Sequence, residues 1–352
     1  MPGVRVRGFS SGALGRVSVE FDVRTLYDFL FSLSEEAGST DDLPAGDRAW
    51  LTQARADLNL ELEGVGGLRA VEVAVSAAGL AIDRPEVSTA ADLVEFVAGL
   101  DPHEVVRLVF SESMADPSMR ECLEQALAGS ASALEEFEGK VPADVRVTAE
   151  AVLRDPAGLV RQMLRILRAW LPRFQEVEPR VRTMIARDVT LRATDRRRLE
   201  PAALIERTTG GIRWLSEPGV RRVILAPSYF SRPYNNIFGG SGWRLFGYPI
   251  ADAALDEVDP AAPPPDVVRL HRALGDATRL RILQLLSLRD WYLTEIAQNL
   301  ELSKPTIKHH LALMRAAGLV TLTEEGGHSY YSLRRSTIGA VGNELQEYLG
   351  TH

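Results

Sequence analysis

The sequence predicts an α+β protein of two folded parts. One is a larger, mainly helical N-terminal domain with some strands; the other is a C-terminal module of three helices closed by a β-hairpin. Three observations predict it. A proline-bearing acidic stretch divides the chain late, apolar residues recur at helical spacing on both sides of it, and two glycines separate a pair of short β-rich runs near the end. A length of 352 residues fits two or three domains.

Bulk composition narrows the class. Hydrophobic residues make up 45% and charged residues 25%, the balance of a chain with a packed core. No apolar run approaches the roughly 18 residues that a membrane span needs. The opening stretch, Met1 to Gly15, carries Arg5 and Arg7 but no apolar segment, so it does not read as a secretory signal. Cys122 is the lone cysteine, which leaves no intramolecular disulfide and fits a reducing cytoplasm. The net charge of -8 excludes a protein that coats nucleic acid along its whole length. From Asp266 to His352, however, 10 Lys+Arg face 9 Asp+Glu, a net of +1, and five of the six histidines also lie in this part. A near-neutral module is compatible with DNA if its bases share a face.

In chain order, Val17, Val19, Phe21 and Val23 alternate with polar residues and predict a strand. Thr25 to Ala37 reads as a helix and 41–47 as a loop. Further helices are expected at Ala90–Ala98, Met119–Ala128 and Gly158–Leu171. The last has an apolar stripe of Leu159, Val160, Met163, Leu164, Leu167 and Trp170, with Arg161, Arg165 and Arg168 on another face. Seven more arginines follow between Arg180 and Arg198. They are expected to form a solvated face paired with local acids, with an auxiliary contact to a DNA backbone as the sharper alternative. Val223 to Ala226 reads as a buried strand. Tyr229, Phe230, Tyr234, Phe238, Trp243, Phe246 and Tyr248 then crowd into one short stretch. They suit a core or subunit interface, or else an aromatic-lined ligand pocket.

The domain division follows: an N-terminal domain at 1–249, a linker at 250–266, and the C-terminal module at 267–352. The linker holds Asp252, Asp256, Glu257, Asp259 and Asp266 with no base, and ends in Pro263-Pro264-Pro265. Prolines remove backbone donors and stiffen such a segment.

In the C-terminal module, Asp276 caps a helix from Ala277 that buries Leu280, Ile282, Leu283, Leu285 and Leu286. Thr294 is expected to cap a second helix ending near Leu300, with Ile296, Ala297 and Leu300 inward. After the turn Glu301-Leu302, Ser303 caps a third helix, Lys304 to about Ala317, with Pro305 in its first turn, where a missing amide costs little. Ile307, His310, Leu311 and Met314 share its inner face. Ser303, Lys304, Thr306, Lys308 and His309 form a polar, partly basic outer face near the helix N-terminus, a pattern that suits the major groove. Gly318 ends the helix. Val320–Thr323 and Ser329–Leu333 make a hairpin around Gly326-Gly327, and His328, Ser329 and Arg334 on it are expected at phosphates or the minor groove. The arrangement is a winged helix-turn-helix.

Three stretches carry a family resemblance: Ala273-Leu-Gly-Asp-Ala-Thr-Arg-Leu-Arg-Ile-Leu; Leu293-Thr-Glu-Ile-Ala through Leu302-Ser-Lys-Pro-Thr-Ile-Lys-His-His-Leu; and Gly318-Leu-Val with Tyr330-Tyr331-Ser-Leu. Together they resemble the ArsR family of bacterial winged-helix repressors. The resemblance covers about a quarter of the chain. It implies a homodimer that meets an operator in an effector-dependent way, with third-helix contacts at Ser303, Lys304, Thr306, Lys308 and His309. Two positions depart from the family pattern. Glu301 stands where the turn usually carries glycine, at a cost of roughly 1 kcal/mol if the backbone keeps positive φ. Trp291-Tyr-Leu-Thr stands where the family's metal sensors carry cysteines, so no metal is expected. The upstream part, around Val223 to Ser228 and the basic helices before it, resembles N-terminal regions fused to such domains in soil-type bacteria, which names no activity.

The expected function is a sequence-specific, cytoplasmic, DNA-binding transcriptional regulator acting as a dimeric repressor, with double-stranded DNA as partner and a small molecule as candidate effector. The alternative is a ligand-sensing or protein-interaction module that uses the winged helix as a scaffold. Dimer surfaces are expected on Val267–Leu274 and on the stripe Ile338, Val341, Leu345, Tyr348. No phosphate loop, dinucleotide fingerprint, zinc-protease motif or nucleophile elbow occurs, so neither catalytic residues nor a cofactor are expected. His309 and His310 diverge by about 100° on a helix and do not face one metal. Glu344, Glu347 and His352 lack a facing pair and read as a solvated helix end.

Overall fold

The computed structural model describes residues 17–34, 37–38, 42–61, 74–75, 77–110, 116–141, 143–240, 242–256, 263–325 and 328–350. They form two compact units. The larger comprises 21–193 and 224–268; the smaller joins 17–20 and 194–223 to 269–350. The units therefore interleave along the chain. Residues 194–223, expected in the N-terminal domain, fold with the C-terminal module.

The larger unit holds α1 (Leu26–Phe31), α2 (Ala45–Glu61), α3 (Ala90–Ala98), α4 (Pro102–Val109), α5 (Pro117–Leu127), α6 (Ala131–Lys140), α7 (Ala143–Arg154) and α8 (Pro156–Leu191). A four-stranded sheet has the order β1 (Ser18–Phe21), β3 (Arg222–Ser228), β5 (Trp243–Pro249), β4 (Asn236–Gly240), with β4, β5 and most of β3 in the larger unit. Strands β4 and β5 form an antiparallel hairpin, pairing Asn236 with Gly247 and Gly240 with Trp243.

Local chemistry sets the helix starts. Thr89 caps α3 through a reciprocal box with Asp92. Asp155 caps α8 by accepting the Gly158 amide at 2.8 Å, with Pro156 in the first turn. Helix α8 outruns its expected end and continues through Pro172 and Pro179. The Arg173 guanidinium donates to the Ala169 carbonyl at 2.6 Å, next to the Arg168 carbonyl that Pro172 leaves without its helical amide. Two expectations change here. The helix expected over 25–37 stops at Phe31, and α2 begins at Ala45 within the expected loop.

Every residue of α1 is buried, and α8 contributes Trp170, Phe174, Val181, Met184 and Ile185 to the same core. The dense aromatics belong to it as well. Tyr229, Phe230, Phe246 and Tyr248 are fully buried, Phe230 stacks on Trp50 at 5.5 Å, and Phe238 stacks on Phe31 at 5.9 Å. They fill the interior rather than line a pocket. Arginines of α8 and its C-cap have local carboxylates: Arg161 pairs with Asp155, Arg187 with Asp256, and the C-cap Arg192 with Asp188.

Residues 250–256 are not linker. Ile250 and Ala254 are buried, and Asp252 takes the Arg232 guanidinium. Glu257 and Asp259 lie outside the described residues. No helix among the described residues is long and apolar enough to cross a membrane.

The smaller unit begins with α9 (Ala193–Arg198), whose first residue falls in the larger unit, then α10 (Pro201–Thr208) and β2 (Ile212–Trp214). The C-terminal module follows as α11 (Pro265–Leu274), α12 (Ala277–Leu288), β6 (Trp291–Tyr292), α13 (Leu293–Leu300), α14 (Lys304–Ala316), β7 (Val320–Glu325), β8 (His328–Leu333) and α15 (Arg335–Leu349). Its sheet has the order β2-β7-β8-β6, so a strand from mid-chain completes the wing.

Candidate nucleic-acid interface

Helix α14 is built to present a polar face. Ser303 accepts the Thr306 amide at 3.2 Å, and the two hydroxyls share a hydrogen bond at 2.7 Å. The buried side chains Ile307, Leu311 and Met314 fix the helix from behind. Ser303, Lys304, Thr306, Lys308 and His309 all stand exposed on the opposite side. The first-turn amides and two ammonium groups make this end electropositive.

The scaffold beneath follows most of its expected chemistry. Asp276 caps α12 through the Arg279 amide at 2.9 Å, and this bond holds its carboxyl below the usual range. In α13 the cap differs. The helix starts at Leu293, and the Glu295 carboxylate accepts the Tyr292 amide at 2.9 Å, so Thr294 lies inside the helix. Leu280 is another correction. It is 50% exposed, while Arg279 turns inward and donates to the Ala273 and Arg272 carbonyls.

The turn between α13 and α14 places Glu301 at φ 56°, the sole non-glycine in the left-handed region among the described residues. Leu302 then donates to the Ala297 carbonyl at 3.0 Å and fixes the approach of the two helices. His310 lies between α14 and the start of α12, its Nδ1 4.0 Å from Asp276. Burial pulls its pKa below the ordinary histidine value, against the opposing pull of Asp276.

The wing pairs Val320 with Leu333 and Glu325 with His328. Ser329 donates to Glu324 at 2.6 Å. The strands reach further than expected, with Glu324, Glu325 and His328 paired in them rather than in the turn; the His328 side chain and Gly326-Gly327 lie outside the described residues. Arg334 has an internal partner, Glu206 on α10, at 3.2 Å. That ion pair turns the Arg334 side chain toward α10.

The clasp formed by α10 and β2 was not legible beforehand. Strand β2 runs parallel to β7 in the register Ile212–Leu322 to Trp214–Glu324. Leu322 donates to Gly211 at 2.9 Å, and Leu215 to Glu324 at 3.2 Å. Arg315 of α14 is buried and donates to the Thr209 carbonyl at 2.7 Å. Burial lowers its pKa to about 10, so it remains charged at neutral pH. Thr321 and Thr323, on the face of β7 opposite Leu322, are also buried. Two glycines allow the turn into β2, with Gly210 at φ 70° and Gly211 at φ 120°. A side chain at Gly211 would start 3.1 Å from the Arg334 guanidinium.

Helix α15 has no buried residue. Ile338, Leu345, Tyr348 and Leu349 are 39%, 36%, 46% and 60% exposed, an apolar stripe open to solvent. Among the described residues, no group of three or more His, Cys, Asp or Glu side chains is placed to hold a metal.

Comparison with known proteins agrees with this construction. The family model for bacterial regulatory proteins of the arsR family matches residues 276–321. The chain is similar to the transcriptional repressor SdpR of Bacillus subtilis (strain 168), 36% identical over 69 residues that cover 20% of this chain and 77% of that one. It is 38% identical over 79 residues to the HTH-type transcriptional regulator CmtR of Mycobacterium tuberculosis (strain ATCC 25618 / H37Rv), covering 22% of this chain and 67% of that one. Among solved structures, HlyU from Vibrio cholerae N16961 is similar at 30% identity and a TM-score of 0.21, covering 23% of this chain and 89% of that one. With an exposed, capped third helix, a paired wing and these relatives, the chain belongs to the arsR family of bacterial regulatory proteins.

Proposed function

We propose that this protein is a cytoplasmic, DNA-binding transcriptional repressor that acts as a homodimer. One observation carries the reading: Ser303, Lys304, Thr306, Lys308 and His309 share an exposed face over the buried Ile307 and Leu311. Lys304 and Lys308 neutralise phosphates, while Thr306 and His309 approach base edges in the major groove. Ser329 and His328 on the wing lie beside the backbone. Arg334, paired with Glu206 in the DNA-free chain, would exchange that carboxylate for a phosphate at the base of the wing.

The exposed stripe on α15 supports dimerisation, with the half-exposed Val267 and Val268 of α11 as a second apolar surface. Two copies would set their third helices roughly 34–36 Å apart, one turn of duplex. A small-molecule effector belongs to the proposal. In the larger unit α2 and α8 border an open groove of about 620 Å³, lined by Trp50, Gln53, Asp57, Arg168, Arg173 and Glu176, as its candidate place.

Footprinting on the DNA directly upstream of the protein's own gene tests the proposal. Two protected half-sites about one helical turn apart are expected. A purified protein that leaves every duplex unprotected at low salt would mean that the winged helix serves as a scaffold only.

A further inference from the structure

We infer that α10 is a lid on the outer face of the wing: it lifts from Thr321 and Thr323 while Thr209 and β2 stay in place, and the lifted form is the one that DNA selects. The lid concerns the smaller unit alone. Its link to DNA rests on the proposed function, in which Arg334 takes a phosphate.

Register and hydrogen bonds place the lid. Side chains alternate along β7, with Leu322 on one face and Thr321 and Thr323 on the other. Leu322 pairs with Ile212 and Tyr331, and all three are buried, so their face packs within the module. The outer face meets the C-terminal half of α10. Leu322 donates to the Gly211 carbonyl, which sets Thr321 next to Gly211, and the Gly211 amide donates to the Glu206 carbonyl at 2.9 Å. Thr323 is in register with Arg213, whose Nε donates to the Glu206 carboxylate at 3.2 Å. The other oxygen of that carboxylate takes Arg334 at 3.2 Å. Glu206 thus joins β2, on one side of β7, to the end of β8, on the other.

The cover and the face beneath it are chemically mismatched. Thr321, Thr323 and Thr208, the last residue of α10, are each no more than 3% exposed. None of their three hydroxyls has a hydrogen-bond partner among the described residues. A hydroxyl that loses water and gains no partner opposes closure by an amount comparable with what one buried aliphatic side chain contributes to it. Closure has two such side chains on α10, Leu204 and Ile205, together with ion pairs of Glu206 whose members are all about a third exposed and therefore weak. The lid is near balance. Strand β2 is not. Ile212 and Trp214 are buried, the Leu322 and Leu215 amides tie the strand to β7, and Arg315 holds the Thr209 carbonyl. Opening therefore stops at Thr209, and a helix of only eight residues has no stability of its own once it lifts.

Lifting carries Glu206 away from Arg334 and leaves that guanidinium to a phosphate. A ligand that prefers one form raises its population, so DNA favours the lifted lid, and by linkage a change that holds the lid shut weakens DNA binding.

The test is amide hydrogen exchange on the full chain, with operator affinity measured alongside. Two amides of the fixed segment report on the lid, because Thr209 donates to the Ile205 carbonyl and Gly211 to that of Glu206. Leu322 and Leu215 report on β2. The main variant combines Thr321→Val with Thr323→Val, which keeps shape and charge and removes two hydroxyls. Exchange at Thr209 and Gly211 is expected to slow at least about tenfold, with Leu322 and Leu215 unchanged. Operator affinity falls by up to the same factor. Thr208→Val removes the third hydroxyl and is expected to slow the same two amides, which keeps the test open if the double variant does not fold. Unchanged exchange at Thr209 and Gly211 in the folded variants overturns the lid. So does a wild-type chain in which these amides exchange only in step with Leu322 and Leu215. Slowed exchange with undiminished operator affinity overturns the link to DNA. A wild-type chain that binds no duplex removes the DNA-binding reading itself, and the exchange result stands apart from it.

Discussion

The Arg315 guanidinium, buried within the third helix of the winged module, donates to the carbonyl of Thr209, a residue more than a hundred positions upstream. This bond and the β2–β7 pairing make residues 194–223 part of the DNA-binding unit. Their ends run directly into α8 on one side and β3 on the other.

Removing the bond loosens the clasp. Arg315→Ala leaves the Thr209 carbonyl unsatisfied in the interior, a loss of about 1.5–3 kcal/mol for a hydrogen bond to a charged group. Hydrogen exchange is the sensitive measurement. The amides of Leu322 and Leu215, which bridge β7 and β2, are expected to lose protection, while those of the β4–β5 hairpin keep theirs. Equal losses at both places would indicate global destabilisation instead.

Glu301→Gly is expected to stabilise the protein. At φ 56° a side chain is strained and glycine is not, a difference of about 1 kcal/mol reduced in part by glycine's freedom in the unfolded chain. Thermal melts should rise by a few degrees with DNA affinity unchanged. A fall would show that the Glu301 side chain makes a compensating interaction.

Asp28 gives the larger unit a pH dependence. Its carboxyl is fully buried, Ser228 and the Phe230 amide reach Oδ1, and among the described residues no hydrogen-bond partner reaches Oδ2. Burial raises its pKa from 3.8 to about 7, against those hydrogen bonds. Between these values the folded state holds more protons than the unfolded state, so this group's contribution to stability falls as pH rises to about 7 and then levels off. Asp28→Asn is expected to melt higher than wild type at about pH 8 and to narrow its margin near pH 5. A margin independent of pH would place the proton elsewhere.

Base reading by the third helix separates from its electrostatics. His309→Ala and Thr306→Ala are each expected to reduce operator binding by about 1–3 kcal/mol with little effect on random duplex. Competition binding against random DNA measures the ratio. If the ratio holds while both affinities fall, the two side chains touch backbone only.

The C-terminal module was readable from sequence because its signals are local. Asp276 and Ser303 are caps next to apolar runs of helical period, and Ile307, Leu311 and Met314 fall on one face by spacing alone. Its errors were also local. Glu295 reaches back to the Tyr292 amide and starts the helix earlier than Thr294 would. Arg279 finds two carbonyls inside, which leaves Leu280 outward. The clasp could not be found that way. Strand β2 has only three residues, too short for alternation to register, and its partner lies a hundred positions away. Glu206 carried no sign that it would claim Arg334, a contact that only tertiary structure creates.

The account depends on the outer face of α14 meeting DNA. The most direct test is a salt series of duplex affinity for wild type, Lys304→Ala and Lys308→Ala. Each variant is expected to weaken operator and random duplex alike and to lower the salt slope by about one unit. Affinities and slopes that match wild type in both variants would contradict it.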